Sequence, residues 1–96
     1  MKRIELHHLA ISDIEALAEY GALWFGVEHA ALYHDELLKQ FVLLSEHPEI
    51  GRRIEPSSLG MHRFAFGSHV IFYSIDDDRI VIRRVLHGHM DSLRHL

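Results

Sequence analysis

The last fourteen residues, RRVLHGHMDSLRHL (83–96), hold the side chains of this chain that are best suited to chemistry: three arginines and three histidines. Guanidinium groups hold phosphates or carboxylates through paired hydrogen bonds, and imidazoles bind metal ions or transfer protons near neutral pH. Three functions are therefore open for this segment. It could form a metal site, place an acid–base catalyst beside phosphate-binding arginines, or present a surface to another protein.

A metal site would use His87 and His89, because side chains two residues apart on a strand point the same way. His69 on a neighbouring strand could supply a third ligand. The chain has no cysteine, no acidic residue at a matching position between residues 69 and 75, and ten histidines scattered along its length. We therefore expect no specific metal site and no cofactor, with only weak capture of nickel or zinc by surface histidines.

A ribonuclease would need cations to hold the scissile phosphate and an acid or base near the 2′-hydroxyl. Arg63, Arg83 and Arg84 could hold phosphate, and His87 could act as the acid or base. A formal net charge of -4 counts against this activity and against general nucleic-acid binding, which draws on a surplus of Lys and Arg. We therefore predict no catalytic residue, and these four are the candidates for the ribonuclease alternative.

A partner-binding surface is the third possibility, since residues 79–94 carry four arginines against one aspartate, a net charge of +3. Strict alternation on a strand places Val81, Arg83, Val85 and His87 on one face and Ile80, Ile82, Arg84 and Leu86 on the other. One arginine must then lie near the helix-covered face, where it needs a carboxylate or carbonyls as its partner. The binding candidates are Arg83, Arg84, His87, Met90, Asp91 and Arg94.

The composition predicts one domain, residues 1–96, in a reducing cytoplasm. Hydrophobic residues make up 48% of the chain, cysteine is absent, and no apolar run approaches the roughly 20 residues of a membrane helix. The start, MKRIELHHLAISD, has histidines and a glutamate where a signal peptide would be apolar. Residues 1–47 carry three Lys/Arg against eight Asp/Glu, and residues 48–96 carry seven against six. An anionic partner should therefore meet the second half of the chain.

Two helices are predicted in the first half of the chain, after a weak strand at residues 3–9. Ser12 and Glu15 form a capping box, and apolar residues at intervals of three and four continue to Phe25, before Gly26. A second amphipathic helix runs from about Glu28 to Pro48. A connection of two or three residues makes the pair an antiparallel helical hairpin.

Strands are predicted in the second half, after a loop over residues 49–60. MHRFAF, HVIFYSI and RIVIRRVLH are rich in β-branched and aromatic residues, and GS and DDD between them are turn sequences. The order is a strand, a helical hairpin and a three-strand meander. We predict an α+β fold with the helices packed on one face of a mostly antiparallel sheet.

This order of elements resembles the ParE branch of the RelE/ParE superfamily, the toxins of type II toxin–antitoxin pairs. The likeness rests on Ala10 and Asp13 in ALAISDIEALAEYG, on LLSEHPEIGRR, on GSHVIFY (67–73), and on RVLHGHMD (84–91) with RHL at the end. His62 departs from the family, many members of which have arginine there. The match covers nearly the whole chain.

The resemblance implies a toxin that poisons DNA gyrase by binding, arrests growth and serves in plasmid maintenance, with no membrane partner and no direct sequence-specific nucleic-acid binding. It also implies a cognate antitoxin, a dimeric DNA-binding protein with an acidic, apolar tail. Trp24 and Phe25 fall at core spacing, although one of them could floor a groove for the antitoxin, so Trp24 joins the binding candidates. Two alternatives remain: a ribosome-dependent mRNA endonuclease of the RelE type, and a non-toxic partner or co-repressor.

Overall fold

A five-stranded sheet and a helical hairpin form the part of the chain that the computed structural model describes, residues 1–54 and 60–88. Within those residues, no helix is long and apolar enough to cross a membrane. In chain order the elements are β1 (Arg3–Leu6), α1 (His8–Phe25), α2 (Val27–Glu46), a 3₁₀ turn (Pro48–Ile50), β2 (Arg52–Arg53), β3 (Met61–Phe66), β4 (His69–Ile75) and β5 (Arg79–His87).

The strands are arranged in the order β1-β5-β4-β3-β2. β1 runs parallel to β5, and the other neighbours are antiparallel, so the predicted α+β class with a mostly antiparallel sheet is confirmed. The pairing of Arg52 and Arg53 with β3 adds an edge strand within the predicted loop. Two residues are too few to show a strand period, which explains why the sequence did not reveal β2.

The predicted capping box is wrong, because Ser12 and Glu15 lie inside α1 as exposed residues. The helix begins at His8, and the N-cap is His7, whose Nδ1 accepts a hydrogen bond from the N–H of Leu9 at 3.2 Å. Histidine is not among the residues that usually cap helices, so the capping preferences used to predict the helix start did not identify His7. β1 consequently ends at residue 6 and not at residue 9.

Gly26 alone connects the two helices, where two or three residues were predicted. Its φ of +89° lies in the region that favours glycine, which lets the chain reverse direction within one residue. The helices are in close contact near this point, since a Cβ atom on Gly21 would lie 3.3 Å from the Cβ of Ala30.

The main core lies between the helices and one face of the sheet. Its buried members are Ala10, Ile14, Leu37, Phe41 and Leu44 from the helices and Ile71, Tyr73, Ile80, Ile82 and Val85 from the sheet. α1 contributes buried residues only from its first half. Trp24 and Phe25 are 66% and 65% exposed, so the prediction that they belong to the core is wrong.

A second cluster, Met61, Val70, Phe72 and Leu86, lies on the opposite face of the sheet, which we name the outer face. The edge strand β2 is fixed to the sheet by the buried Tyr73 hydroxyl. This hydroxyl donates a hydrogen bond to the Pro48 carbonyl at 2.6 Å and accepts one from the Gly51 N–H at 3.0 Å. The turn after α2 is therefore tied to the centre of the sheet, which places Arg52 and Arg53 beside β3.

Candidate protein-binding groove

A β-bulge separates the two adjacent arginines of β5. Phe72 is opposite Arg84, but the next residue of β4, Tyr73, is opposite Ile82, so Arg83 is the extra residue. A bulge of this kind adds one residue to one strand and changes which way the following side chains point.

The bulge overturns the predicted alternation beyond Ile82. Val85 packs with Ile80 and Ile82 in the main core, whereas Leu86 lies in the outer cluster. Strict alternation had placed Val85 and Leu86 on the reverse faces. The extra residue at Arg83 provides the physical reason, because each later residue is shifted by one position in the period of two.

Arg84 is held by Asp13 of α1. Its Nε and Nη2 atoms donate to the two carboxylate oxygens of Asp13 at 2.7 and 2.9 Å, and the backbone N–H of Val85 donates to the same carboxylate at 2.9 Å. These hydrogen bonds raise the pKa of the Arg84 guanidinium above its usual value. The prediction that one arginine would lie near the helix-covered face, with a carboxylate or carbonyls as its partner, is confirmed: the arginine is Arg84 and its partner is the Asp13 carboxylate.

Arg83 lies on the outer face of the sheet. Its Nε donates to the hydroxyl of Ser74 at 3.1 Å, and Ser74 is the strand partner of Met61 in the outer cluster. The side chain is partly exposed. The two arginines that are adjacent in sequence thus have different environments, one clamped to a helix and one facing solvent.

An open groove of about 1150 Å³ lies between the hairpin and the sheet, and we name it the helix–sheet groove. Its walls come from the second half of α1, the first half of α2, the β3–β4 turn and the end of β5. Several of its apolar side chains are largely exposed, among them Tyr20, Phe25 and Leu32. An apolar surface of this kind, open to solvent, is typical of a site for another protein segment.

A cluster of Tyr33, His69 and His87 closes the sheet end of the groove. The Tyr33 hydroxyl is hydrogen-bonded to Nδ1 of His69 at 2.8 Å and accepts from the N–H of Ser68 at 3.2 Å. Gly67 is the first residue of the β3–β4 turn, with a φ of +54°, and a Cβ atom there would lie 2.6 Å from the Tyr33 hydroxyl. Glycine is therefore required for the turn to meet α2.

His69 and His87 are direct partners across β4 and β5, with ring centroids 5.5 Å apart. Burial, and to a smaller degree the nearby charge of a protonated His87, lowers the pKa of His69 below 6.5. The folded state therefore takes up a proton at His69 less readily than the unfolded chain does. Neutral His69 therefore contributes to the free energy of unfolding above pH 6.5, and this contribution is lost as the pH falls through the pKa of His69 in the folded state.

We expect the free energy of unfolding to fall between pH 7.5 and pH 5, and to fall less in the variant His69→Gln. Glutamine does not titrate in this range, so the difference between the two proteins isolates the imidazole. Urea unfolding at several pH values measures it, with His34→Gln as a control for removing a histidine elsewhere. An equal pH dependence in the wild type and His69→Gln would contradict the assignment.

The residues proposed for metal binding and for ribonuclease chemistry are brought together only in part: His69 and His87 are neighbours across β4 and β5, and Arg84 and His87 both line the groove. Arg63 and Arg83 lie on the outer face, Arg84 is held by Asp13, and His87 lines the helix–sheet groove. Among residues 1–54 and 60–88, no three His, Asp or Glu side chains are grouped to hold a metal ion. His89, Met90, Asp91 and Arg94 lie outside the described residues.

Trp24 is exposed near the end of the hairpin and does not line the groove, whereas its neighbour Phe25 does. The sequence argument missed Tyr33 and Leu32, and it did not connect Asp13 with an arginine. Tyr33 carried a usable signal, because it follows Ala30 by three residues on the apolar side of α2. Leu32 carried none, since a single exposed leucine on a helix is ordinary.

Comparison with known proteins agrees with this architecture. The family model for the ParE toxin of type II toxin–antitoxin systems, parDE, matches residues 4–92. Toxin ParE1 of Caulobacter vibrioides is 38% identical over 96 residues, which is 100% of this chain and 99% of that protein. Toxin ParE1 of Mycobacterium tuberculosis is 33% identical over 73 residues, covering 75% of this chain and 74% of its own.

Solved structures share the fold at low sequence identity. A chain of the chromosomal ParDE system from P. aeruginosa superposes with a TM-score of 0.77 at 16% identity, over 91% of this chain and 96% of that one. A chain of the RelBE2 toxin–antitoxin complex from Mycobacterium tuberculosis superposes with a TM-score of 0.68 at 20% identity, over 90% of this chain and 96% of that one. With a family model and a full-length relative both matching, the chain belongs to the ParE toxin family of type II toxin–antitoxin systems.

Proposed function

We propose that this ParE-family toxin acts in the cytoplasm by binding DNA gyrase and trapping cleaved DNA, and that it turns over no substrate itself. The observation that carries the proposal is the division of the four ribonuclease candidates between the two faces of the sheet. Arg63 and Arg83 face one side, whereas His87 and Arg84 line the groove on the other, where Asp13 already holds the Arg84 guanidinium. An acid–base group must lie within hydrogen-bonding reach of the phosphate site that it serves, and this arrangement supports a binding role instead.

The proposed inhibitor is a cognate antitoxin whose acidic, apolar tail lies in the helix–sheet groove. The groove supplies exposed apolar contacts at Tyr20, Phe25 and Leu32. Imidazoles at His29, His69 and His87 border it and can meet acidic side chains. An amphipathic segment lying in an apolar groove is a common mode of peptide recognition.

Toxicity itself is assigned to the C-terminal strand and the segment after it. On the described part of that strand, Arg83 is the cation that faces solvent on the outer face, whereas Arg84 holds the fold together. Arg83 is therefore the residue through which charge on β5 can reach an acidic or DNA-bound target. Met90, Asp91 and Arg94 complete the proposed surface.

A gyrase assay with purified toxin tests the proposal by scoring supercoiling and double-strand breaks. We expect trapped breaks with the toxin alone and their disappearance when the antitoxin is added. Arg83→Gln should weaken trapping several-fold, because one exposed charge contact is lost. Glu19→Gln, an exposed charge on α1, is the matched control and should leave trapping unchanged.

Two outcomes would reject this target. Gyrase could remain fully active under toxin concentrations that arrest cells, or ribosome-bound messenger RNA could be cut by the purified protein. The second result would direct attention to Arg63, Arg83 and His87. Equal losses in Arg83→Gln and Glu19→Gln would reject the placement of the binding surface on β5.

A further inference from the structure

Three arginines on the outer face have no carboxylate partner among the described residues: Arg52, Arg63 and Arg83. Other cations in those residues are engaged. Arg79 pairs with Glu5 and Asp76, Arg84 with Asp13, Arg3 with Asp78 and Lys39 with Glu36, while Lys2 binds two turn carbonyls. The three arginines without a carboxylate partner thus share one face of a protein whose net charge is -4.

Two of these arginines are neighbours across a strand pair, although their like charges repel each other. Arg52 of β2 is directly opposite Arg63 of β3, so both side chains lie on the same face of the sheet. Like charges in this position destabilise a strand pair. Both side chains are exposed, and the Arg63 guanidinium lies 6.0 Å from the centroid of the Phe72 ring. An anion bound by both guanidinium groups would offset this repulsion.

We infer that the outer face holds the sugar–phosphate backbone of duplex DNA through Arg52, Arg63 and Arg83. The arginines are spread from β2 to β5, about 14 Å across three strand spacings. A DNA strand presents a phosphate about every 3.4 Å along its axis, so such a row can meet several in succession. Guanidinium groups bind phosphate through two parallel hydrogen bonds. The contact is to the backbone and reads no base sequence.

The chemistry of the face favours duplex DNA over an acidic peptide and over unpaired nucleic acid. An acidic peptide would also need apolar contacts, but Phe72, Leu86 and Val81 beneath the arginines are at most 5% exposed. Unpaired nucleic acid binds by stacking its bases on exposed aromatic rings, and Phe72 is buried. Most of the exposed large apolar side chains lie in the helical hairpin instead, on the other side of the sheet.

Fluorescence polarisation with a labelled 20-base-pair duplex and full-length toxin tests the inference between 50 and 300 mM salt. Three phosphate contacts predict a slope of log K against log salt of about -2.7. The double variant Arg52→Gln/Arg63→Gln should reduce the slope to about -0.9 and weaken binding at 50 mM salt on the order of 100-fold. Its thermal midpoint should not fall, because a repulsive pair has been removed.

Lys39→Gln is the matched control, since it removes one positive charge from α2 and should leave the slope unchanged. The inference would be overturned by no binding by the wild type at 50 mM salt, by an unchanged slope in the double variant, or by polyglutamate competing as well as the duplex. Tighter binding of single-stranded DNA than of duplex would do the same. Gyrase is absent from this experiment, so its outcome is independent of whether gyrase is the target.

Discussion

Replacing Asp13 with alanine is expected to lower the free energy of unfolding by about 3 kcal/mol, because it leaves a largely buried arginine without its counter-charge. The carboxylate accepts two hydrogen bonds from the Arg84 guanidinium and one from the Val85 N–H. The Arg84 side chain is only 18% exposed, so water replaces these bonds poorly. Domains have total stabilities of about 5–15 kcal/mol, which makes this a large share.

Urea unfolding followed by circular dichroism measures the change. Glu15→Ala is the matched control, because it removes an exposed carboxylate two residues along the same helix and should change stability by less than about 0.5 kcal/mol. Adding Arg84→Met to Asp13→Ala should recover part of the loss, since the uncompensated charge is then gone. Equal losses in Asp13→Ala and Glu15→Ala would refute the clamp.

Leu32→Asp is expected to weaken antitoxin binding on the order of 100-fold, because it places an unpaired charge in an apolar site. Leu32 lines the helix–sheet groove and is 63% exposed in the free toxin. The substitution therefore removes little packing, and the toxin should keep its fold and its activity. Cells that carry this variant should no longer be protected by the antitoxin.

Isothermal calorimetry with purified antitoxin measures the affinity. Leu23→Asp supplies the control, since Leu23 is 79% exposed on the same hairpin but does not line the groove. Its affinity should match that of the wild type. If Leu32→Asp and Leu23→Asp bound the antitoxin equally well, the groove would not be the antitoxin-binding site.

Much of the fold could be predicted from the sequence where local chemistry alone decides. The three long strands were predicted at their observed bounds because β-branched residues and short polar turns mark both ends of each. Pro48 follows the end of α2 for a local reason as well, since proline disfavours helix at the residue before it. The start of α1 was predicted wrongly because the cap is His7, and its hydrogen bond to Leu9 depends on a geometry that composition does not reveal.

The remaining errors concern relations between elements. Trp24 and Phe25 share the apolar stripe of α1, but periodicity does not say how far the sheet extends beneath a helix. The bulge at Arg83 depends on the register of β4 against β5, which no single strand encodes. The clamp could be predicted only in part. Strand alternation required a carboxylate or carbonyls for one arginine, but only the fold identifies Asp13 and Arg84 as the pair.

The parallel pairing of β1 with β5 has a consequence for protein synthesis. Residues 3–6 leave the ribosome more than 70 residues before their strand partners, residues 79–82. β5 also lies between β1 and β4, so the sheet lacks a central strand until that segment is made. Contacts this distant in sequence form late and slowly. Nascent chains that stop before residue 79 therefore lack the β5 wall of the groove as well as the Arg84 clamp, so neither feature can form before β5 has been synthesised.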